Sequence, residues 1–268
     1  MTNNISDERK KYLFQKRKRK TLILLTQTLI LFCFIFTWEF LAEAEIVDDF
    51  ITSRPSRILS TLADLSSNNL LEHLYVTCFE TLVGFLFGTV LGIIIASILW
   101  WSNFIAKVSE PFLVVLNSLP KVALGPIIIV WVGAGMSAII TMALAISLIV
   151  TILEMLNAFN TTDSNLVKMA ETFGASKRQV FTKIVFPSNI PNLINAFKVN
   201  IGLCMVGVIT GEFLVSKGGL GHLIVYGGQV FKLDLVMTSV IILAIVATLM
   251  YQGILILGDL IAKKTNWR

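Results

Sequence analysis

Apolar residues run almost without interruption through most of this chain, and polar positions gather in a few short stretches between the runs. Runs at 21–41, 74–101, 110–132, 136–159, 193–215 and 235–262 each reach the length of about 20 residues that carries an α-helix across a bilayer core. The pattern predicts an all-α, polytopic membrane bundle of six transmembrane helices. In the second run Gly84, Gly88, Gly92 and then Ala96 recur at intervals of four, which lines one helix face with small residues and predicts close helix packing there. Asn117, Pro120, Lys121 and Pro126 interrupt the third run. Prolines at mid-span free backbone carbonyls and a lysine at depth is costly facing lipid, so this helix is expected to bend toward a cavity. Asn117, Pro120 and Lys121, with Glu212 near the end of the fifth run, are the candidate lining of a translocation pathway. Lys121 has two readings, a structural lysine bonded to freed carbonyls or a solute-facing one. Glu80 reads as a paired or snorkelled interfacial carboxylate.

The segment 160–192 breaks the apolar pattern. Asp163 or Ser164 offers an N-cap, and Leu166, Met169, Ala170 and Phe173 then fall on one helical face before Gly174 ends the helix. Ser176 and Gln179 have capping-box spacing for a second short helix, whose apolar stripe of Val180, Phe181, Ile184 and Val185 ends at Pro187. A hairpin this short and charged does not cross a bilayer, and its apolar stripe calls for a soluble protein partner.

Composition agrees with the membrane reading: 55% of residues are hydrophobic and 15% charged, where soluble domains carry about 25% charged residues. Mean hydropathy is +0.79. The net charge of +5 comes largely from the chain ends and concerns topology, not nucleic acid. Eight Lys and Arg residues between Arg9 and Lys20 keep the segment 1–20 on the cytoplasmic side, ahead of the membrane domain 21–268. Lys168, Lys177, Arg178 and Lys183 do the same for the hairpin, and Lys263, Lys264 and Arg268 for the C-terminus. Six spans with both termini inside satisfy every basic cluster. Ala42-Glu43-Ala44 has the small-x-small form of a signal cleavage site, but the run before it is longer than an h-region, so the first run is expected to remain as a span. Cys33, Cys78 and Cys204 lie in apolar runs and read as packing residues, and neither His73 nor His222 has ligand-like neighbours in sequence, so no metal site is expected.

Four stretches carry a family resemblance. Gly174 is followed by nine residues and then Ile184-Val185-Phe186-Pro187, which resembles the cytoplasmic-loop signature of ABC importer permeases, with Ala170, Gly174, Ile184 and Pro187 matching. Lys168, Met169 and Phe186 stand where that signature has Glu, Ala and Leu. Leu119, Pro120, Ala123, Pro126, Trp131, Gly133 and Gly135 resemble a signature of the nitrate, sulfonate and taurine permeases, with Val132 in place of Phe. The segment from Arg54 to Leu59 resembles that group's Pro-Ser segment. Glu212, Gly219, Leu220, Gly221, Leu223 and Ile224 resemble its E-to-G-L-G-x-L-I stretch. The resemblance implies a bacterial plasma-membrane permease without cofactors, working as a homodimer with ABC ATPase subunits and an extracytoplasmic solute-binding protein. It implies coupling to the ATPase through Leu166, Met169, Ala170, Phe173, Gly174, Ala175, Ile184 and Pro187, and a small solute such as a sulfonate, nitrate, taurine or a vitamin precursor.

No G-x-x-x-x-G-K-[ST] loop is present, so ATP hydrolysis is expected in a partner chain. The rival reading is an ion-coupled secondary transporter or channel, which commonly carries carboxylates or charge pairs at the membrane midplane. Glu39, Glu80, Glu154 and Glu212 lie nearer the ends of their runs, which favours the importer.

Overall fold

The computed structural model describes residues 7–67 and 69–264. Among them, five helices are long and apolar enough to cross a membrane, and six if one bent pair counts as a single span. Helix α1 (Asp7–Glu43) carries the basic segment and the first apolar run without a break, so the expected boundary at residue 20 is not marked in the backbone. Short helices α2 (Asp49–Thr52) and α3 (Pro55–Ser67) follow, then α4 (Leu70–Trp101). Helix α5 (Asn103–Ser118) leads through a 3₁₀ turn at Lys121–Leu124 into α6 (Gly125–Val132). Helix α7 (Met136–Asn160) precedes the hairpin. The hairpin holds α8 (Ser164–Thr172), α9 (Lys177–Val180), a π turn at Phe181–Val185 and α10 (Phe186–Ser188). The chain closes with α11 (Ile190–Val215), α12 (Leu220–Gln229) and α13 (Leu233–Lys264). Arg268 and the side chains of Lys263 and Lys264 lie outside the described residues.

The third apolar run is broken more sharply than a bend: the axes on either side of the break meet at 89°. Leu119 precedes a proline and takes extended backbone, with ψ at 138°. Pro120 has no N–H to return to the preceding turn, whereas Pro126 sits in the first turn of α6, where a missing N–H costs nothing.

The centre of the bundle is α7, pressed between α4 and α11. A Cβ on Gly84 would lie 2.8 Å from the Cβ of Ala143, and one on Gly92 would lie 2.7 Å from the Cβ of Thr151. Gly88 faces Ser147 between them. Small residues therefore recur every fourth position on both helices, and the backbones close to a separation that larger side chains forbid. On the other side of α7, a Cβ on Gly207 would fall 2.5 Å from the Ala143 Cα, and one on Gly211 2.9 Å from the Ile139 Cα. Near mid-helix a buried polar tie crosses from α11 to α4, where Asn200 Nδ2 donates to Thr89 Oγ1 at 2.6 Å. Helix α1 stands apart, with nothing buried in its most apolar 18 residues. Its tie to the rest is Glu39, whose carboxylate accepts from the N–H and hydroxyl of Ser56 at the start of α3, at 3.0 and 2.7 Å.

Gly88→Val forces a branched side chain into this seam and is expected to cost about 1–3 kcal/mol. Gly202→Ala adds a methyl where no atom lies within 4 Å and is expected to cost nothing measurable. Thermal unfolding of the two purified variants in detergent compares them directly.

Candidate functional site

Three constructions use the polar residues of the chain: the hairpin, the break between α5 and α6, and the end of the bundle opposite the hairpin.

The hairpin is built from capping chemistry. Asp163 accepts from the Asn165 N–H at 2.9 Å and starts α8. Gly174, at φ +79°, ends it with paired bonds, from the Ala175 N–H to the Ala170 carbonyl at 3.0 Å and from the Gly174 N–H to the Glu171 carbonyl at 2.9 Å. That double bond is the Schellman arrangement, which needs a left-handed residue at Gly174. The Ser176 hydroxyl accepts from the Gln179 N–H at 3.4 Å while the Gln179 side chain accepts from the Ser176 N–H at 2.8 Å, closing the expected capping box. Buried Asn189 fastens the base of the hairpin: its Nδ2 donates to Thr162 Oγ1 at 2.7 Å and to the Val185 carbonyl at 2.8 Å.

The two apolar stripes have different fates. Val180 and Val185 are buried, and Phe181 stacks among Trp100, Phe159 and Phe186 with ring centroids at 4.9, 5.4 and 6.0 Å. The second stripe therefore packs on the chain's own bundle. It does not stop at Pro187, which sits within α10, and the chain runs on through Asn189 into α11. The first stripe stays open, with Leu166 at 41%, Met169 at 52% and Phe173 at 85% exposure. Ala170, Phe173, Gly174, Ala175 and Ile184 come together around one cavity of 270 Å³, joined by Gln179 and Lys183. Pro187 lies off that cavity. Lys168 is exposed on α8.

Lys177, which carried no more than a topological reading in the sequence, joins hairpin to bundle. Its Nζ donates to the Trp101 carbonyl at the C-terminus of α4, at 2.8 Å, and lies 5.6 Å from the Trp100 ring centroid. A cation at a helix C-terminus is favourable because the unpaired carbonyls there carry partial negative charge.

At the break, Lys121 Nζ donates to the Asn117 backbone carbonyl at 2.9 Å and to Asn117 Oδ1 at 3.3 Å. The lysine thus serves a carbonyl at the end of α5 while remaining half-exposed. Asn117 and Pro120 are exposed beside it.

Glu212 lies elsewhere. It is 1% exposed, at the end of the bundle opposite the hairpin, where it closes the N-terminus of α12. Its Oε2 accepts from the Gly221 N–H at 2.6 Å and its Oε1 from the Thr77 hydroxyl at 2.7 Å. Thr77 Oγ1 in turn accepts from the Leu220 N–H at 2.8 Å, and His73 Nδ1 from the Gly219 N–H at 3.0 Å. The Gly219 amide and the first two amides of α12 are thus satisfied by side chains of α4 and α11. Gly219, at φ +95°, and Gly221 bring the backbone against the Glu212 carboxylate, where a Cβ on either would collide with it. Glu80 is buried, at 2% exposure, on α4 one turn beyond Thr77, and its Oε2 has no hydrogen-bond partner among the described residues. His73 and His222, far apart in sequence, stack at 6.4 Å. Thr77 and His73 gave no signal in the sequence, because each acts across more than 140 positions.

A bundle of five or six membrane-length helices, with a hairpin between two of them that leaves one apolar face open, has the form of a polytopic membrane protein. Residues 88–267 match the family described as binding-protein-dependent transport system inner membrane component, and the chain belongs to that family. It is a multi-pass membrane protein, the permease of an ATP-driven importer and not an enzyme. It is 26% identical to the "Probable ABC transporter permease protein" of Haemophilus influenzae, over 86% of this chain and 94% of that protein. It is 25% identical to the formylaminopyrimidine transport permease protein ThiX of Halalkalibacterium halodurans, over 74% and 79% of the two chains. It is 20% identical to the taurine transport system permease protein TauC of Escherichia coli, over 81% of each. The fold matches an inward-facing structure of the MetNI methionine ABC transporter with a TM-score of 0.63, covering 73% of this chain and 95% of that one at 21% identity.

Thr77→Val removes both bonds of the hydroxyl that joins α4, α11 and α12 while keeping its volume. The expected loss is about 1–3 kcal/mol, since a buried carboxylate oxygen and a buried amide each lose a partner. Thermal unfolding in detergent checks it.

Proposed function

We propose that the hairpin faces the cytoplasm and receives an ABC ATPase subunit on α8, and that two copies of this chain form the transmembrane part of the importer. Both chain termini then lie in the cytoplasm, and an extracytoplasmic solute-binding protein delivers a small solute to the opposite end. The solute is a small sulfonate, nitrate, taurine or a vitamin precursor, a range supported in part by relatives named for taurine and formylaminopyrimidine transport.

The observation that carries this reading is the division of the hairpin's apolar surface. Its inner stripe is locked into the Trp100, Phe159, Phe181 and Phe186 cluster, while Phe173, Met169 and Leu166 project into solvent beside a cavity of 270 Å³. Exposed aromatic and Met side chains flanking a socket are the composition of an interface centre. The rigid mounting lets a push on α8 reach the ends of α4 and α7 instead of being lost in a loop.

Phe173→Glu puts a charge at the most exposed of these positions and is expected to cost at least about 2 kcal/mol of association, roughly 30-fold. Affinity purification from membranes should recover a nucleotide-binding ATPase with the unchanged chain and lose it with this variant; equal recovery with both would overturn the docking role. A Cβ on Gly174 would meet no atom within 4 Å, so the effect of Gly174→Val is backbone strain at φ +79°. It is expected to cost about 1–2 kcal/mol locally, leaving the bundle folded while ATP-dependent uptake falls.

A further inference from the structure

The C-terminal half of α7 carries a polar face that the bundle does not use. Two cavities flank it and share Asn157. One, of 300 Å³, is lined by Asn103, Lys107, Glu110 and Asn160 among others, and the second, of 250 Å³, by Glu154, Asn192 and Asn195. Lys107, Glu110 and Glu154 are all exposed, and none has an ion-pair partner among the described residues. Lys198 reaches the edge of the second cavity, with Nζ 3.4 Å from Asn195 Oδ1.

Depth makes these groups informative. Glu154 is six residues before the end of α7 and Glu110 seven residues after the start of α5, which puts each roughly 10 Å inside its helix end. Charged groups at such depth are stable against water or a partner charge and not against lipid tails. On α5 the spacing continues: Lys107, Glu110 and Asn117 fall at i, i+3 and i+10, one stripe of the helix. That stripe ends at the break, where Lys121 and Asn117 bond each other.

We propose that this face, from Lys107 and Glu110 on α5 to Glu154 and Asn157 on α7, lines the water-filled inner half of the solute's path. The proposal rests on the importer reading above. Around the two cavities Lys107 and Lys198 offset Glu110 and Glu154, so the vestibule holds no excess of either charge. Asn103, Asn157, Asn160, Asn192 and Asn195 add amide donors and acceptors in equal measure. Such a lining suits an uncharged polar or zwitterionic solute that sheds neither its hydration nor its charge pairs on the way through, and it gives no pull on a simple anion.

The test is thiol accessibility in membrane vesicles holding the full chain and its partners. Asn157→Cys keeps all four charges, and is made with Cys33→Ser, Cys78→Ala and Cys204→Ala as background; Val199→Cys, lining the second cavity, serves as the second variant. The probes are the anionic methanethiosulfonate ethylsulfonate and the cationic methanethiosulfonate ethyltrimethylammonium. In inside-out vesicles both are expected to react, at rates within about threefold of each other after normalising to free cysteine, while Ile30→Cys on α1 stays unreactive. No reaction at either cavity position would overturn the water-lined face. A preference of about tenfold or more for either charge would overturn the balanced vestibule. Reaction only in right-side-out vesicles would support the water-lined face and overturn instead the cytoplasmic placement of the hairpin.

Discussion

Close contact between α4 and α7 is the constraint on which the rest of this protein depends. Lipid tails are as apolar as leucine, so helices in a bilayer gain nothing by hiding apolar side chains from them, and association rests on tight packing and polar ties. Gly84, Gly88 and Gly92 against Ala143, Ser147 and Thr151 supply the packing, and Asn200 on α11 ties that helix to Thr89 of α4. Since α4 and α7 are joined along their length, their ends are fixed relative to one another. At one end Trp100 and Phe159 come together and make the seat of the hairpin; toward the other, Thr77 meets Glu212 and the start of α12.

Those two ends solve opposite problems. The buried end must satisfy three amides at the start of α12 without water, and does so with His73, Thr77 and Glu212, at distances of 2.6 to 3.0 Å. The hairpin end must hold a polar segment rigid while leaving one apolar face open. An aromatic cluster, the Lys177 bond to the Trp101 carbonyl and the Asn189 bonds at its base hold one side, and α8 is left free on the other. A charge that looked like a topological signal is therefore also a mechanical fastening.

How much of this was legible in the sequence follows from the range of each interaction. Five of the six spans, the Asp163 cap, the Ser176 to Gln179 box and the stop at Gly174 are set by neighbours within a few residues and appear where the pattern puts them, while the third run, expected to bend, breaks into two helices at 89°. The glycine spacing announced a packed face but not its partner, because Ala143, Ser147 and Thr151 repeat at the same interval within an apolar run that hides them. Glu212 and Glu80 were read as separate carboxylates at helix ends. The burial of both, and the part played by Thr77, depends on the register of α4 against α11, which no local pattern records. The fate of the second hairpin stripe was missed for a related reason: an amphipathic helix looks the same whether its apolar face meets a partner or its own bundle, and only Trp100 and Phe159 decide it.

The break at Leu119 and Pro120 gives the remaining step. A push on α8 would pass through Phe181 and Lys177 into the ends of α4 and α7, and neither of those helices is interrupted along its length. Helix α5 differs. Leu113 is its one buried residue among those described, so it is held on the bundle by a narrow contact, and it ends at an 89° turn that has no continuous ladder of helix bonds to resist rotation. Rigid elements slide and hinge where packing is thin and backbone bonds are already absent. Relative movement between the α5 stripe and the α7 face would therefore concentrate at the cavities between them, where Glu110 and Asn157 stand, and the stiffness of the α4–α7 seam is what would direct it there.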